Sequence, residues 1–361
     1  MRALVDAHHL GQGQTGNETW ARNVVAGLVD GTDEVHVAVT AAGRAQLPTT
    51  IDPDRAHLVS AASARRLVVD LPRVLRTVGP DALLVQYTLP PRCRVPAVVV
   101  VHDLSFERPE ARAWIPRASL LRYRATIRAS ARQARRILVP SEFTRADLVD
   151  RYGIAADRVI VAGNAVDPDL EAALAATPRA SDANRRVVLA VGTVQPRKNL
   201  EIVAGAVAEL RRQHLPAVLR LVGPVPTAGR AMLGRMAAVL GPALEVCGVL
   251  DTAALASAYR SADVLAFPSL FEGFGIPLVE AMAARTPVLS SDATALPEIG
   301  ADAVLYAAPD SPDQWLDQLR LVLTDQGTAD RLSVAGTARA QTFSWSRSAA
   351  AARLALAQAA A

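Results

Sequence analysis

Phe267-Pro-Ser-Leu-Phe-Glu272-Gly273-Phe274-Gly275-Ile276-Pro277-Leu-Val-Glu280-Ala-Met-Ala283 is the stretch from which the fold can be read. A short apolar strand, Asp263 to Phe267, runs into a glycine-bearing loop, and Pro277 stands where a first helical turn begins, a position that needs no N–H. The loop is therefore expected on a helix N-terminus. There the backbone N–H groups of Gly273, Phe274, Gly275 and Ile276, with the helix dipole, would make a site for a phosphate-like anion. Glycine allows close approach. Glu272 at the strand end and Glu280 in the first helical turn flank that site. Carboxylates repel phosphate, so both are expected to face something else, most simply sugar hydroxyls.

Upstream, strands and helices alternate: strand Arg186 to Val191, a helix from about Asn199, strand Val218 to Val222, helix Ala228 to Leu240 and strand Leu244 to Cys247. The first of these strands ends in Gly192-Thr-Val-Gln-Pro-Arg197-Lys198-Asn199, and Lys198 is the only lysine in a chain with 38 arginines. Where arginine is used everywhere else, the one lysine marks a place for a compact ammonium rather than a guanidinium. Downstream, Pro287 to Ser291 reads as a strand, Leu296-Pro-Glu298 as a helix start, and the chain from Asp313 to its end as helical, broken near Phe343 and Trp345.

Glu272 and Glu280, set around Gly-Phe-Gly-Ile-Pro, resemble the paired-glutamate signature of the retaining nucleotide-sugar glycosyltransferases of family 4. Pro-Arg197-Lys198-Asn, after a strand and a glycine, is similar to that family's diphosphate clamp. The resemblance implies an α/β protein of the GT-B fold: two Rossmann-like, doubly wound parallel-sheet domains facing a central cleft, with a C-terminal helix crossing back to the first. The expected divisions are an acceptor-side domain over 1–168, a linker over 169–184, a donor-binding domain over 185–343 and the returning helix over 344–361. It further implies that Glu280 takes the ribose hydroxyls, that Glu272 and the loop amides hold the hexose, and that Lys198 and Arg197 bear on the leaving diphosphate. Val249 and Leu250 would receive the nucleobase on backbone atoms. The nucleotide sugar is a substrate here, and neither a metal nor another cofactor is implied. Two positions depart from the family pattern: Thr193 stands where an arginine often follows the glycine, and Thr286 where glycine is usual.

The first half opens with a buried strand over residues 2 to 6 and a loop, Gly11-Gln-Gly13-Gln-Thr-Gly16, ahead of a helix from Asn17 to Leu28. Literally this is GxGxxG, the basis for an alternative reading as a dinucleotide-dependent oxidoreductase. Against it, His8, His9 and Leu10 lengthen the turn, and the second strand, Glu34 to Thr40, ends without an acid for a ribose hydroxyl. By resemblance Gly16 approaches the donor phosphates or the acceptor, with Asn17 and Glu18 on the acceptor side. Further strands read at Leu58, Ala82 to Val85, Ala97 to Val101, Ile137 to Ser141 and Arg158 to Ala162, with a helix over Ala64 to Val78. Apolar strands separated by helices indicate parallel sheets covered on both faces. Val98-Val-Val-Val-His102 puts a histidine just past a strand's carboxyl end, where open α/β sheets bind ligands. The family places a histidine there, near the donor hexose. Catalytic roles are thus expected for Glu272, His102 and Lys198.

At 361 residues the chain suits two domains. No apolar run nears the roughly 18 residues of a membrane span, and no signal-peptide pattern opens it. Cys93 and Cys247 fall in different proposed domains, which favours a reducing, cytoplasmic setting over a disulfide. The net charge of +4 is uneven, since residues 1–168 hold 22 Arg against 17 acidic residues. Seven of those arginines lie between Arg117 and Arg136 with no acid among them, while Leu120, Tyr123, Ile127, Ala131 and Ala134 recur at helical spacing. This basic amphipathic helix is read either as an ordinary solvated face or as a surface for anionic lipid, at the inner face of the plasma membrane or on a lipid-linked acceptor. Nucleic acid is disfavoured, as no interleaved aromatics or recognition motif accompany the charge. The triplets Asp52-Pro-Asp54 and Asp167-Pro-Asp169 read as proline turns rather than metal sites.

The function expected from the whole is retaining transfer of a hexose, with a lean to mannose from GDP-mannose, to an acceptor hydroxyl in polysaccharide or glycolipid synthesis. A sugar-nucleotide epimerase of the same fold is the main alternative.

Overall fold

The computed structural model describes the chain except Gln14, Thr32, Asp33, Trp114, Ser181 and Ala183, and the side chains of Thr15 and Ala113. Gln14 of the glycine loop, with Ser181 and Ala183 of the expected linker, thus lies outside the described residues.

Two compact units emerge, one from Met1–Pro109, Ile115–Asn164 and Ser344–Ala361, the other chiefly from Ala165–Phe343. The first contains β1 (Arg2–Asp6), α1 (Thr15–Val29), β2 (Glu34–Val39), β3 (Ala56–Leu58), α2 (Ser63–Arg65), α3 (Leu71–Val78), β4 (Ala82–Gln86), β5 (Ala97–Val100), α4 (Arg117–Gln133), β6 (Arg136–Val139), α5 (Glu142–Tyr152) and β7 (Val159–Val161). Its seven strands pair in the order β3-β2-β1-β4-β5-β6-β7, and each pairing is parallel. The order reverses between β1 and β4, so the loops after those strands diverge and leave a crevice at their carboxyl ends. Val98, Val99 and Val101 are wholly buried, as a strand covered on both faces requires.

The second unit runs α6 (Pro168–Ala176), β8 (Arg186–Val191), α7 (Leu200–Arg212), β9 (Ala217–Val222), α8 (Arg230–Leu240), β10 (Leu244–Gly248), α9 (Thr252–Arg260), β11 (Val264–Phe267), α10 (Ile276–Ala283), β12 (Val288–Ser291), α11 (Leu296–Gly300), β13 (Leu305–Ala307), α12 (Pro312–Thr324) and α13 (Gln326–Ala340). Its six strands are also parallel, in the order β10-β9-β8-β11-β12-β13, with the reversal between β8 and β11. The last helix, α14 (Trp345–Ala360), belongs to the first unit. It packs along α1 closely enough that a Cβ on Gly27 would lie 2.5 Å from the Ala349 Cβ. Arg353 donates to the Gly27 carbonyl at 2.9 Å.

Several expectations change. The stretch read as linker opens on α6, because Asp167 caps it, Pro168 occupies its first turn, and Leu170 and Leu174 are buried in the second unit's core. The other Asp-Pro-Asp triplet is used the same way, Asp52 accepting from the Asp54 amide at 3.0 Å. β13 was not anticipated, its apolar run being only a few residues long. Between α2 and α3 the helix widens into a π turn over Arg66–Asp70. The C-terminal helical region is three helices, with Asp325 and Ser344 capping the second and third. The basic helix stops at Gln133, because Arg136 already starts β6. Its buried face is Leu120, Ile127, Ser130 and Ala131, while Tyr123 is 39 % and Leu121 68 % exposed. Both cysteines are free, Cys247 exposed and Cys93 half-buried. Among the described residues no helix is long and apolar enough to cross a membrane, and no group of His, Cys, Asp or Glu side chains is arranged to hold a metal.

Candidate functional site

β8 delivers the chain to Gly192, whose φ of +137° few side chains could adopt. A Cβ there would also stand 3.3 Å from Lys198 Cε, so glycine leaves room for the lysine stem. One turn of 3-10 helix, Pro196–Lys198, then turns Arg197 and Lys198 back toward the end of β11. Lys198 is 9 % exposed, and its Nζ donates to Glu272 Oε1 at 2.6 Å while lying 4.8 Å from the centre of the Phe267 ring. Arg197 Nη1 donates to the Phe271 carbonyl at 2.6 Å and pairs with Glu272 Oε2 at 3.0 Å. The Leu270 amide closes on the Arg197 carbonyl at 2.9 Å, so the two loops are bonded by their main chains as well. Residues 74 positions apart in sequence thus form one cluster, with a small pocket lined by Gly192, Lys198, Phe267, Pro268 and Ser269 beside it.

Burial of Glu272 works to raise its pKa, but the charges of Arg197 and Lys198 outweigh it and hold the group at about 2. Ser269 adds to that lowering from nearby, yet its buried hydroxyl closes no hydrogen bond of normal geometry. Two cations face one carboxylate, so these three groups together carry a net positive charge. Such an excess in a partly dehydrated site is what an anionic ligand would neutralise.

The glycine loop sits directly after Glu272. Gly275 caps α10 with φ +98°, and a Cβ there would meet Leu296 Cδ2 at 2.7 Å. Gly273 and Gly275 are buried and Ile276 is half-buried. The Phe274 side chain is core, edge-on to Phe343 at 5.4 Å. Thr294 Oγ1 accepts from the Glu272 amide at 3.0 Å, fixing the start of the loop.

Glu280 is the fifth residue of α10, in the second turn rather than the first, because the helix already begins at Ile276. It shares no hydrogen bond with the lysine cluster; its Oε2 accepts from the Tyr259 hydroxyl at 2.6 Å. Although Glu280 is half-buried by surface area, the protein around its carboxyl raises the pKa to about 7, the Tyr259 hydrogen bond opposing and Asp167 adding. The turn expected to meet a nucleobase follows Gly248 at φ +68°, with Val249 74 % exposed and Leu250 packed against the core. Asp251 then caps α9 through the Ala254 amide at 2.8 Å.

In the first unit Gly16 lies in the first turn of α1, which starts at Thr15 rather than Asn17. Gly11 is required at φ +72°, where a Cβ would lie 2.6 Å from the Ala42 main chain. The Gly11 amide donates to Glu18 Oε1 at 2.9 Å, so this acceptor-side candidate also staples the loop. His102 follows β5, its Nε2 2.7 Å from Gln86 Oε1. The Gln86 amide nitrogen points to the Asn17 carbonyl at 3.4 Å, so its oxygen faces the imidazole and Nε2 carries the proton. Burial, aided by the charge of His9, lowers the His102 pKa to about 3 and keeps the ring neutral. Trp20 and Tyr87 meet it edge-on at 5.5 and 5.6 Å.

A second charged cluster went unforeseen. Asp6 closes β1 fully buried, and its Oδ1 accepts from His8 Nδ1 at 3.1 Å while Oδ2 binds the Arg66 guanidinium. Burial alone would raise the Asp6 pKa, but His8 and Arg66 bring it below the ordinary carboxylate range. The only sequence signal was an acid ending an otherwise apolar strand.

Comparison with known proteins agrees with this anatomy. A family model described as glycosyl transferases group 1 matches residues 176–339, and one described as Glycosyltransferase Family 4 matches residues 15–170. The chain belongs to these glycosyltransferases. O-antigen chain mannosyltransferase B of Escherichia coli is 29 % identical to it over 264 residues, 69 % of this glycosyltransferase and 67 % of that one. D-inositol 3-phosphate glycosyltransferase of Segniliparus rotundus is 34 % identical over 175 residues, 45 % of this chain but only 38 % of the relative's length. Sucrose-phosphate synthase from Thermosynechococcus elongatus superposes with a TM-score of 0.77 over 98 % of each chain at 20 % identity, in keeping with the GT-B fold.

Proposed function

We propose that this glycosyltransferase moves a hexose from a nucleoside diphosphate donor to an acceptor hydroxyl with retention at the anomeric carbon. The observation that carries the reading is the Lys198–Glu272–Arg197 cluster, with its excess positive charge, joined to the Gly273–Gly275 loop at the start of α10. When the anomeric C–O bond breaks, its electron pair goes to the diphosphate, and charge grows where Lys198 and Arg197 can meet it. A well-placed donor of this kind lowers a barrier by about 3 kcal/mol.

The acceptor oxygen then bonds the anomeric carbon from the side the diphosphate leaves, and the departing phosphate oxygen takes the acceptor proton. Glu272, ionised but gripped by two cations, is a weak nucleophile, which favours its holding the donor sugar over attacking it. Glu280 would take the ribose hydroxyls, the Val249–Leu250 turn the base, and Gly16 and neutral His102 the acceptor-side and hexose contacts. No metal is assigned a step.

The relation to an O-antigen mannosyltransferase leans the donor toward GDP-mannose and the pathway toward surface polysaccharide or glycolipid. A cytoplasmic enzyme with a lipid-linked acceptor would meet the inner membrane face through α4, where Leu121 and Tyr123 project among arginines.

The test is a transfer assay with GDP-mannose in EDTA, reading the anomeric configuration of the product. Full activity with a retained configuration is expected. Inversion, dependence on added manganese, or a changed sugar still on its nucleotide would refute the reading.

A further inference from the structure

We infer that Tyr259 is a positioning residue for the donor's ribose, its phenol holding one oxygen of Glu280 so that the other is left to a vicinal diol. The inference rests on the reading of Glu280 given above. Tyr259 is wholly buried on α9, and a buried phenol must find a hydrogen-bond partner. Its partner is Glu280 Oε2 at 2.6 Å, and no other hydrogen bond or ion pair engages the Glu280 carboxylate among the described residues. That contact selects the carboxylate's orientation.

The tyrosine is itself held. Thr286, buried where the family usually has glycine, donates to the Tyr259 carbonyl at 2.7 Å. Arg260, next in α9, donates to the carbonyls of Thr177 at 2.9 Å and of Ala284, just past α10, at 3.2 Å. α9 therefore starts at the Val249–Leu250 turn and ends on Glu280, linking the proposed base contact to the proposed ribose contact through one rigid element. A change at Tyr259 should accordingly be felt by the sugar of the nucleotide and not by its base.

The surroundings add a pH dependence. Asp167, at the start of α6, is a like charge beside Glu280. The cations on neighbouring elements are engaged elsewhere: Arg260 as above, and Arg339 of α13 with the Glu298 and Ile299 carbonyls. Asp330 and Arg331, also on α13, are exposed. With no cation paired to it, Glu280 ionises near neutrality, and the phenol is what favours its charged form. Losing the phenol should push ionisation to higher pH, so the ribose grip weakens most near pH 7 and recovers in mild base.

Calorimetric titration with GDP and with its 2′,3′-dideoxy analogue between pH 6 and 8.5 tests this, a UDP pair being run alongside. Wild type should prefer the ribonucleotide by roughly tenfold or more, with the preference fading toward pH 6. Tyr259→Phe should keep its melting temperature within a few degrees, lose most of that preference at pH 7, regain part of it at pH 8.5, and bind the dideoxy nucleotide as before. Glu280→Gln should show weak binding with no acid limb in this range, a control independent of how well the tyrosine variant folds. If Tyr259→Phe discriminates as wild type does at every pH, Tyr259 does not position the ribose contact. If wild type itself fails to discriminate, the ribose reading of Glu280 has failed and the inference falls with it; a Glu280→Gln variant with the wild-type acid limb overturns the pH argument.

Discussion

Each of the two sheets ends in a buried ionic cluster near its point of reversal, and the clusters differ in what stands beside them. In the first unit Asp6 is held between the Arg66 guanidinium and the His8 imidazole, all three buried. In the second, Lys198 and Arg197 share Glu272, and the three together carry a net positive charge. The first cluster is closed on itself, while the second stands beside a small pocket and the glycine loop that opens α10. The difference separates a cluster that shapes its unit from one suited to a diphosphate.

The sharpest way to break this contrast is to remove a partner from the sealed cluster. Arg66→Ala leaves the buried Asp6 carboxylate with only His8 bonded to it among the described residues, and the loss expected in equilibrium denaturation is about 3–5 kcal/mol. A loss below about 1 kcal/mol would mean Asp6 finds another partner and the cluster is not sealed. Lys198→Ala should cost less stability, because Arg197 still faces Glu272, but lower kcat by about 100-fold or more. Lys198→Arg should not restore the rate, because Gly192 leaves space for a slim stem and a compact ammonium. Near-normal turnover in the alanine variant would remove Lys198 from the chemistry.

Acid titration sharpens the comparison further. Glu272 has a folded pKa of about 2 against an ordinary 4.5, so its stabilisation is complete above about pH 4.5 and drains away as pH falls toward 2. The whole is worth on the order of 3 kcal/mol. Glu272→Gln should flatten that part of the acid-unfolding curve, and an unchanged curve would show that the carboxylate gains nothing from its cations. The smallest effect expected is at α4: anionic liposomes should retain the protein at low salt and release it at high salt, less of it with Leu121→Asp. Absence of retention would make the helix an ordinary solvated face.

Most of the fold was legible because apolar runs and their punctuation are local. Val98 to Val101, Pro277 in the first turn of α10 and Asp251 capping α9 each state their structure within a few residues. Lys198 and Glu272 were legible singly, one by being the only lysine and the other by its glycine loop, but nothing in the sequence says that they touch. Arg66 was illegible for two reasons: its partner is 60 residues away, and a π turn changes which way its side chain faces. Tyr259 carries no motif of its own in the sequence; it is core, and its hydroxyl is what joins it to the site. The linker was misread because proline and aspartate end one element and cap the next with the same letters.

Because α14 follows the second unit in sequence yet covers α1, the half that leaves the ribosome first cannot be completed until the other half has been synthesised. Until then the surface of α1 around Gly27 stays open to water. Nascent chains of this enzyme therefore carry an unfinished amino-terminal half throughout translation of the carboxyl-terminal one, and chaperones would meet them there.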